Sequence, residues 1–82
     1  MIKLNIKLKY LGLYTTNLPS NIEITNNATI KELLIAISNK VDNQTFEMIK
    51  SAVFLVNSSK AYMNTVLHEG DNLLILYTLG GG

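Results

Sequence analysis

The repeat of hydrophobic residues changes once along this chain, near residue 29, and that change limits the folds open to it. Upstream, Ile2, Leu4, Ile6, Leu8 and Tyr10 alternate with Lys3, Asn5, Lys7 and Lys9, the period-two pattern of a strand with one buried face. Gly12, Thr15-Thr16-Asn17 and Pro19 punctuate the stretch from Leu11 to Ser20, a turn longer than a tight two-residue hairpin. Ile22 and Ile24 then resume the alternation over Asn21 to Thr25, the second arm of that hairpin. From residue 29 the spacing is helical: Ile30, Leu33, Leu34, Ile37 and Val41 form one stripe, while Lys31, Glu32, Ser38 and Lys40 face water. Thr29-Ile30-Lys31-Glu32 is a capping box, in which the Thr hydroxyl and the Glu carboxylate satisfy exposed amides at the helix start.

Beyond the helix, Thr45 to Lys50 predicts a helical turn that tucks Phe46 and Ile49 under a sheet. Val53 to Asn57 predicts a third main strand, Ser58-Ser59-Lys60 its turn, and Ala61 to Thr65 a short irregular return. His68-Glu69-Gly70-Asp71 forms a turn before the strongest strand signal, Leu73 to Tyr77. Two strands, a helix, then further strands predict an α+β roll of the β-grasp type, with a mixed sheet and one main helix across one face. Residues 1–79 are expected to form one domain, and Gly80-Gly81-Gly82 a flexible tail.

The composition narrows function mainly by exclusion. At 82 residues the chain has room for one core. A hydrophobic content of 48% against 16% charged residues excludes a disordered chain, and no apolar run approaches the ~20 residues of a membrane span. With no cysteine there is no disulfide framework, no thiol nucleophile and no thiolate metal site. The alternating opening is not a secretory signal, so a cytoplasmic location is expected. All seven basic residues are Lys and the net charge is +1, without the dense Arg/Lys patch of a nucleic-acid binder.

Side-chain catalysis finds no support. His68 is the single histidine, and its turn offers Glu69 and Asp71 where metal sites need three or four converging ligands. Ser58 and Ser59 have no base beside them, and the carboxylates Glu23, Glu32, Asp42, Glu47, Glu69 and Asp71 are scattered through caps and turns. No catalytic residue, bound cofactor or metal is therefore expected.

Two features remain. Gly80, Gly81 and Gly82 carry no side chains, so they can enter a channel too narrow for any other residue, and Gly82 would present a main-chain carboxylate. Fixing them costs about 1–2 kcal/mol per residue, so ordering needs contacts supplied elsewhere by a partner. The second feature is that residues 53–56 and 73–76 are apolar at every position, although a single helix covers only one face of the sheet. Leu74, Leu76 and Leu79 are assigned to an exposed partner-binding patch with Phe54 and Val56; Val53 and Leu55 are the alternative pair, and Lys7 flanks the patch. The lysines of the first strand, Lys3, Lys7 and Lys9, would guide an acidic rim on the partner.

In their order, Thr29 to Leu34, Val53 to Asn57, Leu67 to Leu73 and the closing Gly81-Gly82 resemble the sulfur-carrier branch of the ubiquitin-like proteins. Within that branch the chain is most similar to the small subunits of molybdopterin synthase. The resemblance implies that an adenylating enzyme activates the Gly82 carboxylate with ATP, and that sulfur transfer then yields a terminal thiocarboxylate. It also implies that the loaded tail enters the large synthase subunit and donates sulfur to the pterin precursor. Tyr77-Thr78-Leu79 stands where family members often carry prolines. Other readings are a thiamine-pathway sulfur carrier, a modifier conjugated through Gly82 to lysines of other proteins, and an interaction module whose glycines are only a frayed end. The long first hairpin argues against the thiamine branch.

Overall fold

Buried even-numbered residues give the first strand one apolar face. In the computed structural model, which describes residues 3–13 and 18–78, β1 (Lys3–Leu11) buries Leu4, Ile6 and Leu8 and exposes Lys3, Asn5, Lys7 and Lys9. It pairs antiparallel with β2 (Asn21–Thr25), whose Ile22 and Ile24 lie opposite Ile6 and Leu4 and point the same way. Phase is shared across the pair because side chains alternate faces with a period of two.

The capping box forms as expected at α1 (Ile30–Ser38). The Thr29 amide donates to Glu32 Oε1 at 3.0 Å, and the Glu32 amide donates back to the Thr29 hydroxyl oxygen at 3.5 Å. An irregular segment at residues 63–65 completes the start of the helix: Ile30 N–H donates to Thr65 O and Lys31 N–H to Met63 O, both at 3.0 Å. Those amides have no partner within the helix itself. Thr29→Ala is expected to lower unfolding free energy by about 1 kcal/mol in urea titration, with the slope unchanged.

The segment after α1 is more helical than expected. It forms a full element, α2 (Asn43–Lys50), capped by Asp42, whose carboxylate accepts from the Thr45 amide at 2.7 Å. That amide holds the exposed Asp42 carboxyl below its usual range. Ile49 is fully buried in the core, while Phe46 is half-buried beside Leu34 and Ile35 of α1.

The return after the third strand also differs. β3 (Val53–Val56) turns through Asn57 and Ser58 alone, both at positive φ (51° and 73°), and pairs antiparallel with β4 (Ser59–Ala61). Two central residues at positive φ are the mark of a type I′ turn, whose twist matches that of the flanking strands. Ser59 and Lys60 are thus strand, not turn.

β5 (Asn72–Leu76) lies in the middle of the sheet, whose order is β2-β1-β5-β3-β4. It runs parallel to β1 and antiparallel to β3. The two helices and one face of the sheet enclose Ile6, Ile30, Leu33, Ile37, Ile49, Leu67, Leu73 and Ile75, all essentially inaccessible to water. No helix among the described residues is long and apolar enough to cross a membrane.

Candidate functional site

Register fixes what each strand contributes to the face that the helices leave open. One row across it is Leu11, Leu76 and Val53, which are direct cross-strand neighbours. The next row on that face is Lys9, Leu74, Leu55 and Lys60. Lys7 beside Asn72 follows, then Asn5 beside Glu23 on β2. The face therefore grades along the strands, from an apolar block at the C-terminal end of β5 to a polar, lysine-bordered half. A groove of about 440 Å³ opens at the boundary, lined by Lys9, Leu55, Asn57, Ser58, Asn72 and Leu74.

Leu74 and Leu76 lie on this face, half-buried, and Lys7 is exposed on it, as expected. Phe54 and Val56 do not. Phe54 is 4% exposed and belongs to the core, opposite Ile75 and Ala61, and Val56 packs against the same core. Phe54 stands opposite Ile75 and Val56 opposite Leu73, so the even-numbered residues of β3 share the helix-covered face with the core residues of β5. Val53 and Leu55 take their place on the open face. Leu11, 55% exposed, extends the block; its odd number, in phase with Lys7 and Lys9, already pointed there. Leu79, Gly80, Gly81 and Gly82 lie outside the described residues.

The two ends of β5 are fastened differently. At its start Asp71, 8% exposed, accepts from Asn57 Nδ2 at 2.9 Å and from the His68 amide at 2.8 Å. The Asn57 side chain in turn accepts from the Asn72 amide at 3.0 Å. Asp71 is thus a structural carboxylate that ties the β3–β4 turn to the entry of β5, and His68 is an exposed turn residue. No group of three His, Asp or Glu side chains able to hold a metal occurs among the described residues. At its other end β5 continues into Tyr77, whose amide donates to Leu11 O at 2.8 Å, and Thr78 is exposed. The chain thus leaves the sheet beside the apolar block, where β1 also ends. Nearby, the Tyr10 hydroxyl donates to Pro19 O at 2.7 Å, and burial pushes its phenol up to about 12, so it stays a neutral donor.

Set beside solved structures, this arrangement matches throughout its length. The solution structure of the Haloferax volcanii protein HVO 2177 superposes with a TM-score of 0.75 at 17% identity, covering 98% of this chain and 88% of the other. A proposed molybdopterin converting factor, subunit 1, from Pyrococcus furiosus gives 0.69 at 16% identity, covering 93% and 99%. The crystal structure of SAMP1 from Haloferax volcanii gives 0.59 at 17% identity, covering 98% and 99%. The chain has the β-grasp fold. No protein-family model matches the sequence, and no curated protein does so either. At these identities the likeness is one of fold, shared with the proposed molybdopterin converting factor subunit and with SAMP1.

Proposed function

We propose that this β-grasp protein is a sulfur carrier whose reactive group is the main-chain carboxylate of Gly82. The observation that carries this reading is the placement of β5. The strand preceding the glycines is central in the sheet, is held by β1 on one side and β3 on the other, and ends at the apolar block of the open face. A partner that docks on Leu11, Leu74, Leu76, Val53 and Leu55 therefore receives whatever follows Thr78 at a defined point. The likeness in fold to a molybdopterin converting factor subunit supports the same reading.

The chemistry follows from what a carboxylate lacks. It is a poor electrophile, so an adenylating enzyme first joins the Gly82 carboxylate to the α-phosphate of ATP, releasing pyrophosphate. A sulfide-level donor then attacks the acyl carbon and expels AMP, leaving a thiocarboxylate. The docked carrier delivers this group into the active site of a larger subunit, where the sulfur passes to the precursor of molybdopterin. The carrier supplies docking surface and a narrow tether, and the partners supply the catalytic side chains. Lys7 and Lys9 border the apolar block and suit an acidic rim on those partners.

Intact-mass analysis tests this directly. After incubation with ATP, the adenylating enzyme and sulfide, the protein is expected to gain the mass difference of sulfur replacing one oxygen, with fragmentation placing it on Gly82. Deleting Gly81 and Gly82 is expected to abolish the gain while leaving the melting temperature unchanged. An unaltered mass for the full chain would refute the reading. An isopeptide bond from Gly82 to lysines of other proteins would identify a modifier instead.

A further inference from the structure

Gly12 follows the last residue of β1 at a φ of +85°, in the left-handed region that favours glycine. Space is the second constraint. A Cβ built on Gly12 would fall 1.9 Å from the Tyr77 carbonyl oxygen and 3.0 Å from its carbonyl carbon. Tyr77 is the first residue after β5, and its amide already donates to Leu11 O at 2.8 Å. The end of β1 and the beginning of the tail therefore touch backbone to backbone, and only a glycine permits the approach.

The two sides of this contact differ in how readily they yield. Gly12 is held from both directions: Tyr10 and Leu11 are registered against Ile75 and Leu76, and Leu13 is 8% exposed within the core. Tyr77 is only half-buried and is followed by the exposed Thr78. Tyr77 also packs on the core, so a side chain at residue 12 has to shift either the end of β1 or Tyr77, and the exposed Thr78 makes the tail side the freer of the two.

We propose that Gly12 is a positioning residue for the C-terminal tail, setting the point and direction from which the segment after Thr78 leaves the sheet. The proposal rests on the sulfur-carrier reading and extends it to a residue far from the tail in sequence. Gly12 touches no reacting atom; it acts through the backbone of Tyr77. The clash requires Tyr77 to move by about 1 Å, which shifts the anchor from which the glycine tether starts. The docking face itself, Leu74 and Leu55 above all, is not part of the contact.

ATP–pyrophosphate exchange by the adenylating enzyme, with the full-length carrier as its protein substrate, separates the two contributions. Gly12→Ala is expected to lower kcat by roughly 3- to 10-fold, the glycine tether absorbing part of the shift, while KM for the carrier stays within about twofold, the signature of an interaction made only when the group reacts. A second variant, one glycine inserted between Thr78 and Leu79, leaves the contact intact and displaces the carboxylate; it is expected to show the same split. If Gly12→Ala does not fold, Gly12→Asn, a residue that tolerates positive φ while its Cβ meets the same Tyr77 carbonyl, is measured in its place with the same split expected. Wild-type kcat in either folded variant, or a rise in KM with kcat unchanged, would overturn the proposal. If the wild-type carrier supports no exchange, the sulfur-carrier reading itself fails, an outcome distinct from the others.

Discussion

Leu74→Glu is expected to weaken binding of the protein to the adenylating enzyme proposed as its partner by at least about 30-fold, the size of a single interface hot spot of ~2 kcal/mol. Leu74 occupies the centre of the open face, between Lys9 on β1 and Leu55 on β3, one row from Leu11, Leu76 and Val53. A docked partner removes that row from water; burying a carboxylate there costs its hydration even with Lys9 beside it, and the added negative charge opposes the acidic rim proposed for the partner. Stability is expected to change by less than about 1 kcal/mol, since Leu74 faces away from both helices and keeps its backbone pairing. Titration calorimetry against the adenylating enzyme, with a thermal melt of each protein, checks both halves. Unchanged affinity would remove the open face from the proposed function.

How much of this could be read from residue order varies with the kind of information involved. Alternation in β1 and β2, the capping box of α1 and the final apolar strand were legible because each is local and each has a distinctive period or motif. The α2 helix was underestimated for the opposite reason. Its polar Asn43-Gln44-Thr45 start and its short set of apolar residues, Phe46, Met48 and Ile49, leave a weak stripe, and packing of Ile49 into the core supplies what periodicity lacks.

The sidedness of β3 is the instructive case. Val53-Phe54-Leu55-Val56 is apolar at every position, so period two carries no signal, and a one-residue shift of phase exchanges the two faces. What chooses between them is the register with β5, which sets Phe54 opposite Ile75, and the turn adds no signal of its own. Asn57-Ser58 lacks the glycine that usually announces a two-residue type I′ connection, and Ser58-Ser59-Lys60 reads instead as a looser turn. Gly12 was legible as punctuation but not as a contact. Its partner, Tyr77, is distant in sequence, and only the parallel pairing of β1 with β5 brings them together.

The same sidedness sets the largest expected effect on stability. Phe54→Ala is expected to lower unfolding free energy by about 3–5 kcal/mol, the range for emptying a buried aromatic site. That is a large share of the roughly 5–15 kcal/mol that holds a domain of this kind together. Phe54 is 4% exposed, registered between Ile75 and Ala61 on the helix-covered face. β3 has only four residues, and its backbone is tied to β5 on one side and β4 on the other, so the strand cannot slide inward to fill the space. At about 4–8 °C per kcal/mol for a domain of this size, the melting temperature falls by roughly 12–40 °C. Binding to the adenylating enzyme, measured well below the new midpoint, stays close to wild type because the open face is intact. Val53→Ala provides the contrast, trimming the open face at a cost of about 1 kcal/mol or less in stability. A Phe54→Ala protein that melts like the wild type yet no longer binds would put the aromatic ring on the docking surface and reverse the assignment of both faces of β3.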